Sequence, residues 1–322
     1  TPHFEKMLVD NAQLWQLYAQ LSSLSASQDW AIVAEQTREF MLTHLYDAEK
    51  GAFFTSLSAL DNAGHEGGHY LWTQKQLSQH LAVKEQSLVA SDWQLDYPPP
   101  FDLGYLPIWG DHLRPNAQRQ AIMNRLKTSR ASQPIATDKK HLVSYNGLMM
   151  SVLSQQLRQQ PTLKPIAQKL ASFLHDAWKN DQLSQGSFLD KKLAEADFEG
   201  YAFAAKGLLD YAIITGDADA SELAINLLKR SQKLFVNDQG FIAQAPVGDF
   251  SLPRQLAFAD SALTSASSVW IEACLQSRNA QLTMISQQSF KKALPLMLAS
   301  PLEYASLWSV YWKWQDLLLK QD

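Results

Sequence analysis

Two well-separated stretches of this chain can be laid on one another. Residues 17–54, "LYAQLSSLSASQDWAIVAEQTREFMLTHLYDAEKGAFF", match residues 209–242, "LDYAIITGDADASELAINLLKRSQKLFVNDQGFI", in the order of their parts. Each has a tyrosine on a first amphipathic helix, a polar turn, a second helix and a glycine turn. Tyr18 corresponds to Tyr211, and Gly51 to Gly240. A weaker third copy occupies residues 148–188, with Pro161 and Pro165 at its inter-helix turn and Gly186 at its terminal one. The unit is a helical hairpin of about forty residues that cannot bury its apolar face alone, so its copies must stack. Irregular inserts separate the copies, which favours a closed α/α toroid over an open solenoid.

The inserts support that reading. Residues 52–73 hold "AFFTSL", a glycine-rich turn and "HYLWT", the pattern of a small β-hairpin. Residues 91–111, with Pro98, Pro99 and Pro100 in succession and several aromatics, predict an ordered loop. Neither resembles a linker, so residues 1–322 are expected to form one toroid domain. About eleven helices are foreseen where six hairpins need twelve, which predicts an all-α (α/α)6 toroid lacking its first helix.

Composition narrows the partners. Net charge is -4, and no basic run is long enough to track a phosphate backbone, so nucleic acid is not expected. No apolar run approaches the roughly 18 residues of a membrane span, and the reading is a soluble, cytoplasmic chain. The lone Cys274 excludes an intrachain disulfide and reads as an inert core thiol. Of the ten tryptophans, Trp15, Trp30, Trp178, Trp308, Trp312 and Trp314 fall in helical patterns and read as core. Trp72, Trp93 and Trp109 lie in inserts, where an indole face could stack on a sugar.

The chemistry-bearing residues gather at helix starts. In "TPHFEKMLVDNAQL" Thr1 suits a helix cap and Pro2 the first helical position, so a helix is predicted from the outset. His3, Met7, Asp10 and Leu14 would then share one face, and Phe4, Leu8, Asn11 and Trp15 the next. Glu5 and Asp10 among apolar neighbours suggest shifted ionisation and a site, although a dipole-complementing acid on a first turn explains them too. Tyr145 and Asn146, Glu199 and Tyr201, and Asp260 and Ser261 stand at other helix starts, where capping is the plain alternative. In a toroid such helix starts line one funnel mouth, a concave ligand site. His65, Glu66 and His69 suggest a metal, but Gly67 and Gly68 make the segment a turn without a third strong ligand, so neither metal nor cofactor is expected. No phosphate-binding glycine loop or nucleophile elbow is present.

Several motifs carry a resemblance. "PHFEKMLVDNAQL" (2–14), "EGGHYLWT" (66–73), the series Arg125, Arg130, Pro134 and Asp138 leading into "LVSYNGLMM" (142–150), "YAFAAKGLLDYAIITGD" (201–217) and "DSALTSASS" (260–268) follow one another in a known order. The chain resembles the carboxy-terminal part of thioredoxin-domain-containing proteins of the spermatogenesis-associated type. That region is similar to N-acylglucosamine 2-epimerases and six-hairpin glycosidases. The resemblance implies a toroid and a family site including Glu5 and Asp10. It also places a thioredoxin-like half upstream of Thr1, which makes that half, or another partner chain, an expected partner. The chain departs from the family pattern at Tyr145, Gly200 and residues 264–267.

Two function classes follow. A carbohydrate-active enzyme that hydrolyses a glycosidic bond needs two facing carboxylates, for which Glu5, Asp10, Glu199 and Asp260 are candidates. One that isomerises a sugar needs a base beside a carbonyl, for which His3 and His69 are candidates. A small carbohydrate would then contact Asn11, His69, Tyr70, Trp72, Tyr145, Asn146, Glu199, Tyr201 and Ser261. The other class is a non-catalytic toroid that binds a ligand or a protein.

Overall fold

The computed structural model describes residues 3–25, 27–107, 116–131, 133–244 and 257–318. Among these residues the apolar periodicity resolves into twelve α-helices, one more than the repeat pattern suggests: α1 (Leu8–Leu24), α2 (Asp29–His44), α3 (Gln74–His80), α4 (Val83–Asp92), α5 (Ala117–Ala131), α6 (Val143–Gln156), α7 (Lys164–Ala177), α8 (Phe198–Thr215), α9 (Ala218–Phe235), α10 (Ala266–Gln276), α11 (Ala280–Ala299) and α12 (Ala305–Leu318). Their starts are chemically marked. Asp197, Asp217, Ser265 and Asn279 each accept the free N–H three residues on, opening α8, α9, α10 and α11. Thr73 and Gln76 form a reciprocal capping box on α3. Between α8 and α9, Gly216 at φ +77° ends the first helix of a hairpin in the left-handed region.

The first helix begins later than the Thr1–Pro2 signal predicts. Lys6–Met7 is a strand (β1), and α1 starts at Leu8, whose N–H donates to the Thr55 carbonyl at 2.9 Å. Strand pairing wins over local helix preference because it satisfies backbone groups on both segments. His3 and Glu5 therefore share no helix face with Asp10.

The chain divides into two compact units. The first comprises Thr1–Met7, Gln13–Leu45 and Ser56–Asp138. In it, β1 pairs antiparallel with β4 (Ser56–Leu57), which pairs with β5 (Thr137–Asp138). A buried cluster that includes Trp72, Leu77, Val89, Trp93, Ile122 and Leu126 joins α3, α4 and α5. Residues 91–107 are irregular apart from the end of α4, as the prolines require, while Trp109 and the rest of that loop lie outside the described residues.

The second unit comprises Leu8–Ala12, Tyr46–Thr55 and Lys139–Asp322. Its centre is the packing of α6 on α8, where Gly147 and Gly207 let the backbones meet: a Cβ on Gly207 would stand 2.3 Å from the Gly147 carbonyl oxygen. The hairpin β2 (Tyr46–Asp47) to β3 (Ala52–Phe53) turns at Gly51, φ +64°, and the matching Gly240 has φ +84°. The third copy turns instead at Asn180 and Asp181, both at positive φ, between β7 (Trp178–Lys179) and β8 (Gln182–Leu183). Gly186 lies within β9 (Gly186–Phe188), where a Cβ would stand 2.1 Å from the His141 carbonyl oxygen. That strand lies between β6 (His141–Leu142) and β10 (Lys191–Lys192).

The β-hairpin expected over residues 52–73 is divided. Ala52–Phe53 folds back on Tyr46–Asp47, Ser56–Leu57 joins β1 and β5, and a single bridge from Leu60 to Glu66 closes the glycine turn. Cys274 is buried, and burial pushes its thiol well above its ordinary value. Trp15 and Trp270 are core, but Trp312 is 67% exposed and Trp30 stacks on Tyr18 at the surface.

Candidate functional site

In the first unit the short sheet positions the opening residues. Glu5 precedes β1, and the Ser56 hydroxyl on β4 donates to its Oε1 at 2.7 Å. Lys6 turns its ammonium onto the Phe4 carbonyl at 2.8 Å and over the Tyr70 ring at 4.2 Å, where burial lowers its pKa. Phe4 stacks on Tyr70 and meets Phe101 edge-on. The turn permits this packing because Gly67, at φ +78°, leaves room that a Cβ would take from the Phe4 ring.

The same turn delivers His69 and Tyr70. The Tyr70 hydroxyl donates to the Ser58 carbonyl at 3.1 Å. Burial pushes its pKa up to about 12, with Arg130 pulling down and Glu5 pushing up, so Glu5, Tyr70 and Arg130 share one neighbourhood. His69 is half-buried and edge-on to Tyr70. Burial first, then the charges of Arg130 and His44, lower its pKa and keep the imidazole neutral near pH 7. His44, at the end of α2, is lowered by burial and by Lys127. His65 pairs instead with Asp61 on its own turn, so the two histidines of this glycine-rich segment serve different partners.

Other predicted residues do structural work. Trp72 is 5% exposed, bridged through its backbone to Tyr105, with the Arg130 guanidinium over its ring at 4.4 Å; it is a core side chain rather than a free stacking face. His3 is exposed, its ring Nδ1 lies 3.5 Å from the Glu5 carbonyl, and its own carbonyl accepts from the Lys6 ammonium at 3.2 Å.

In the second unit Asp10 and Asn11 occupy the first turn of α1 and are partly buried. Asn146 is fully buried and clamps the chain: its amide donates to the Phe53 and Leu142 carbonyls and its oxygen accepts the Phe53 N–H at 2.8 Å. Tyr145 beside it is partly buried. Tyr201 is buried, accepts the Leu183 N–H at 3.1 Å and donates to Glu195 at 3.0 Å, while burial pushes its pKa up to about 12. Asp260 brackets two helix starts by accepting the N–H groups of Ser265 and Ser306, each at 2.8 Å. Ser261 next to it is exposed. Glu199, in the first turn of α8, has its pKa raised by burial and by Asp197, against a hydrogen bond from Ser144.

Sequence reasoning gave several of these groups no role. His44 and Lys127 carried no motif, and Lys6 and Arg130 stood inside quoted motifs without being singled out. A further one, His141, is 5% exposed between Phe54 and Phe173, with Nε2 3.2 Å from Asp47 and Nδ1 3.5 Å from the Ser187 hydroxyl. Ser187 and Phe173 also line a cavity of about 470 Å³ bounded by Lys50, Lys169 and Asp190. No signal within a few residues of His141 marks it, since its partners come from β2 and β9.

Comparison with known proteins agrees with this architecture. No protein-family model matches the chain. It is 26% identical over 326 residues to spermatogenesis-associated protein 20 of Mus musculus, covering 83% of this chain and 40% of that protein. With the Homo sapiens protein it shares 34% identity over 85 residues, 25% of this chain and 11% of that protein. The chain thus spans about 40% of the mouse relative's length, and the resemblance carried by its motifs is borne out. Among solved structures it is similar to cellobiose 2-epimerase from Spirochaeta thermophila (TM-score 0.56, 9% identity, 93% of this chain and 61% of that one). It is likewise similar to D-mannose isomerase (TM-score 0.52, 10% identity, 96% and 76%). The fold is therefore of the α/α-toroid class, as the repeats predict. Among the described residues no helix is long and apolar enough to cross a membrane.

Proposed function

We propose that this chain is a carbohydrate-active toroid that transfers a proton at the carbon beside a sugar's carbonyl, an epimerase- or isomerase-type reaction with His69 as general base. The observation that carries the reading is the placement of His69, a half-buried imidazole edge-on to Tyr70 with ring centres 5.3 Å apart. A base must be unprotonated at working pH, and burial together with Arg130 and His44 provides that. The imidazole would take the proton from C2, leaving an enediolate whose charge the Arg130 guanidinium would stabilise; it would return the proton to C1, with the O2 proton passing to O1, or to the other face of C2 once the enediolate has turned over in the site. Glu5, oriented by Ser56, and Tyr70 offer contacts for sugar hydroxyls. The solved structures of similar fold include an epimerase of cellobiose and an isomerase of mannose, which makes those sugars the first to try.

The test is solvent exchange. Cellobiose, mannose and N-acetylglucosamine are incubated with the protein in D2O, and deuterium at C2 is followed by NMR. Wild type is expected to exchange one of them, and His69→Gln to lose at least about a hundredfold in rate, the typical range for a general base, with an unchanged melting temperature. Sugar binding without exchange would transfer the protein to the non-catalytic class. Exchange that survives His69→Gln would remove His69 as the base.

A further inference from the structure

Three arginines on α5 are treated differently. Arg119 holds Asp92 through Nε at 2.8 Å and Nη2 at 3.2 Å, and Arg125 holds Glu85 at 2.5 Å. These hydrogen bonds raise both guanidinium pKa values. Arg130 pairs with no carboxylate among the described residues. Its Nη2 reaches the Leu71 carbonyl at 3.4 Å and its guanidinium lies over Trp72 at 4.4 Å. Among the described residues, one carbonyl and one ring face leave most of its five N–H donors available for a planar acceptor. Burial lowers its pKa to about 10, and Tyr70 offsets that only in part.

Other basic side chains lie around it. Lys127 lies one turn earlier on α5, close enough to His44 to depress it, and His69 feels both Arg130 and His44. Only Asp61 acts on His69 in the opposite sense, and it is the weakest of the four influences. Arg130, partly buried, and Lys127, exposed, thus place two positive charges near one another, and an incoming anion would offset their repulsion. Beside them, Trp72, Trp93, Pro107, Met123 and Leu126 wall a cavity of about 150 Å³, with the side chains of Lys127 and Arg130 completing its lining. That is room for about one six-membered ring.

We propose that Arg130 and Lys127 anchor the anionic group, a carboxylate or a phosphate, of an acidic sugar. This rests on the sugar reading above and narrows it to a substrate class. An arginine with an unused fork is the side chain best shaped to take either anion through two parallel N–H donors.

The experiment is calorimetric titration of the full chain at fixed ionic strength with D-glucuronate, D-glucose 6-phosphate, D-glucose and inorganic phosphate. One acidic sugar is expected to bind at least about tenfold tighter than glucose, and which one it is identifies the anion. Arg130→Gln should abolish that preference and Lys127→Ala reduce it. Arg130→Lys, which keeps the charge without the fork, should recover only part and serves if Arg130→Gln does not fold. Glucose binding as tightly as both acidic sugars overturns this proposal and leaves the sugar reading intact. Phosphate binding that depends on Arg130, with no sugar bound, overturns the sugar reading and retains the anion site. No binding by any of the four overturns the proposal.

Discussion

Adding one methyl group at Gly207 tests the packing that centres the second unit. Gly207 and Gly147 let α8 and α6 meet backbone to backbone. A Cβ on Gly207 would stand 2.3 Å from the Gly147 oxygen and 2.9 Å from the Met150 Cβ, and one on Gly147 would stand 2.5 Å from the Phe203 carbonyl. The first distance is about 1 Å short of ordinary contact, and its neighbour is backbone within a helix, so the helices must separate. Overpacking of this kind costs about 3 kcal/mol. The gain in helix propensity from glycine to alanine returns about 1 kcal/mol. Gly207→Ala should therefore lose about 2 kcal/mol, a fall of roughly 4–8 °C for a unit of this size. Differential scanning calorimetry reads the shift. Gly216→Ala is the control: no atom lies within 4 Å of its Cβ position, and only its φ of +77° opposes the change. It should cost about 1 kcal/mol. Gly147→Ala combined with Gly207→Ala should be less than additive, because one separation of the helices accommodates both methyl groups. A melting temperature that rises in Gly207→Ala would refute the reasoning, since it would mean that propensity outweighs the contact.

Other consequences are as direct. Asn146→Leu deprives the buried Phe53 N–H and carbonyl of their side-chain partner and should cost about 3 kcal/mol in a urea titration; a loss below about 1 kcal/mol would show that the clamp is dispensable. Asp260→Ala should lower stability by about 1–3 kcal/mol through lost N–H acceptors while leaving C2 exchange per folded molecule unchanged; loss of exchange in folded protein would return Asp260 to the catalytic set. His44, His69 and His141 all have pKa values lowered first by burial, so the unfolded chain binds protons more readily than the folded one. Their contribution to stability is complete above the ordinary imidazole value of about 6.5 and is lost as pH falls through and below it. The melting temperature should drop from pH 7 to pH 5, less steeply in His141→Gln, and a flat profile would contradict the burial of these rings.

What the sequence alone determined about this protein is what depends on neighbours a few residues apart. Helix periodicity and the turn glycines at 51 and 240 were legible because their causes lie within one turn of chain. The repeat was legible because each hairpin carries the same local signals, and an unburied apolar face demands a neighbour. Polar residues at helix starts were also visible, but their roles were not. Asn146 is bound to Phe53, 93 residues away, and Asp260 to Ser306 at the start of another helix. Only the fold decides that β1 pairs with β4 and delays the first helix, or that Asp92 and Glu85 reach Arg119 and Arg125 while none of the described carboxylates reaches Arg130. A side chain's charge is written in the sequence. Whether that charge is neutralised, buried or left for a ligand depends on which distant segments surround it, and tertiary packing alone assembles them.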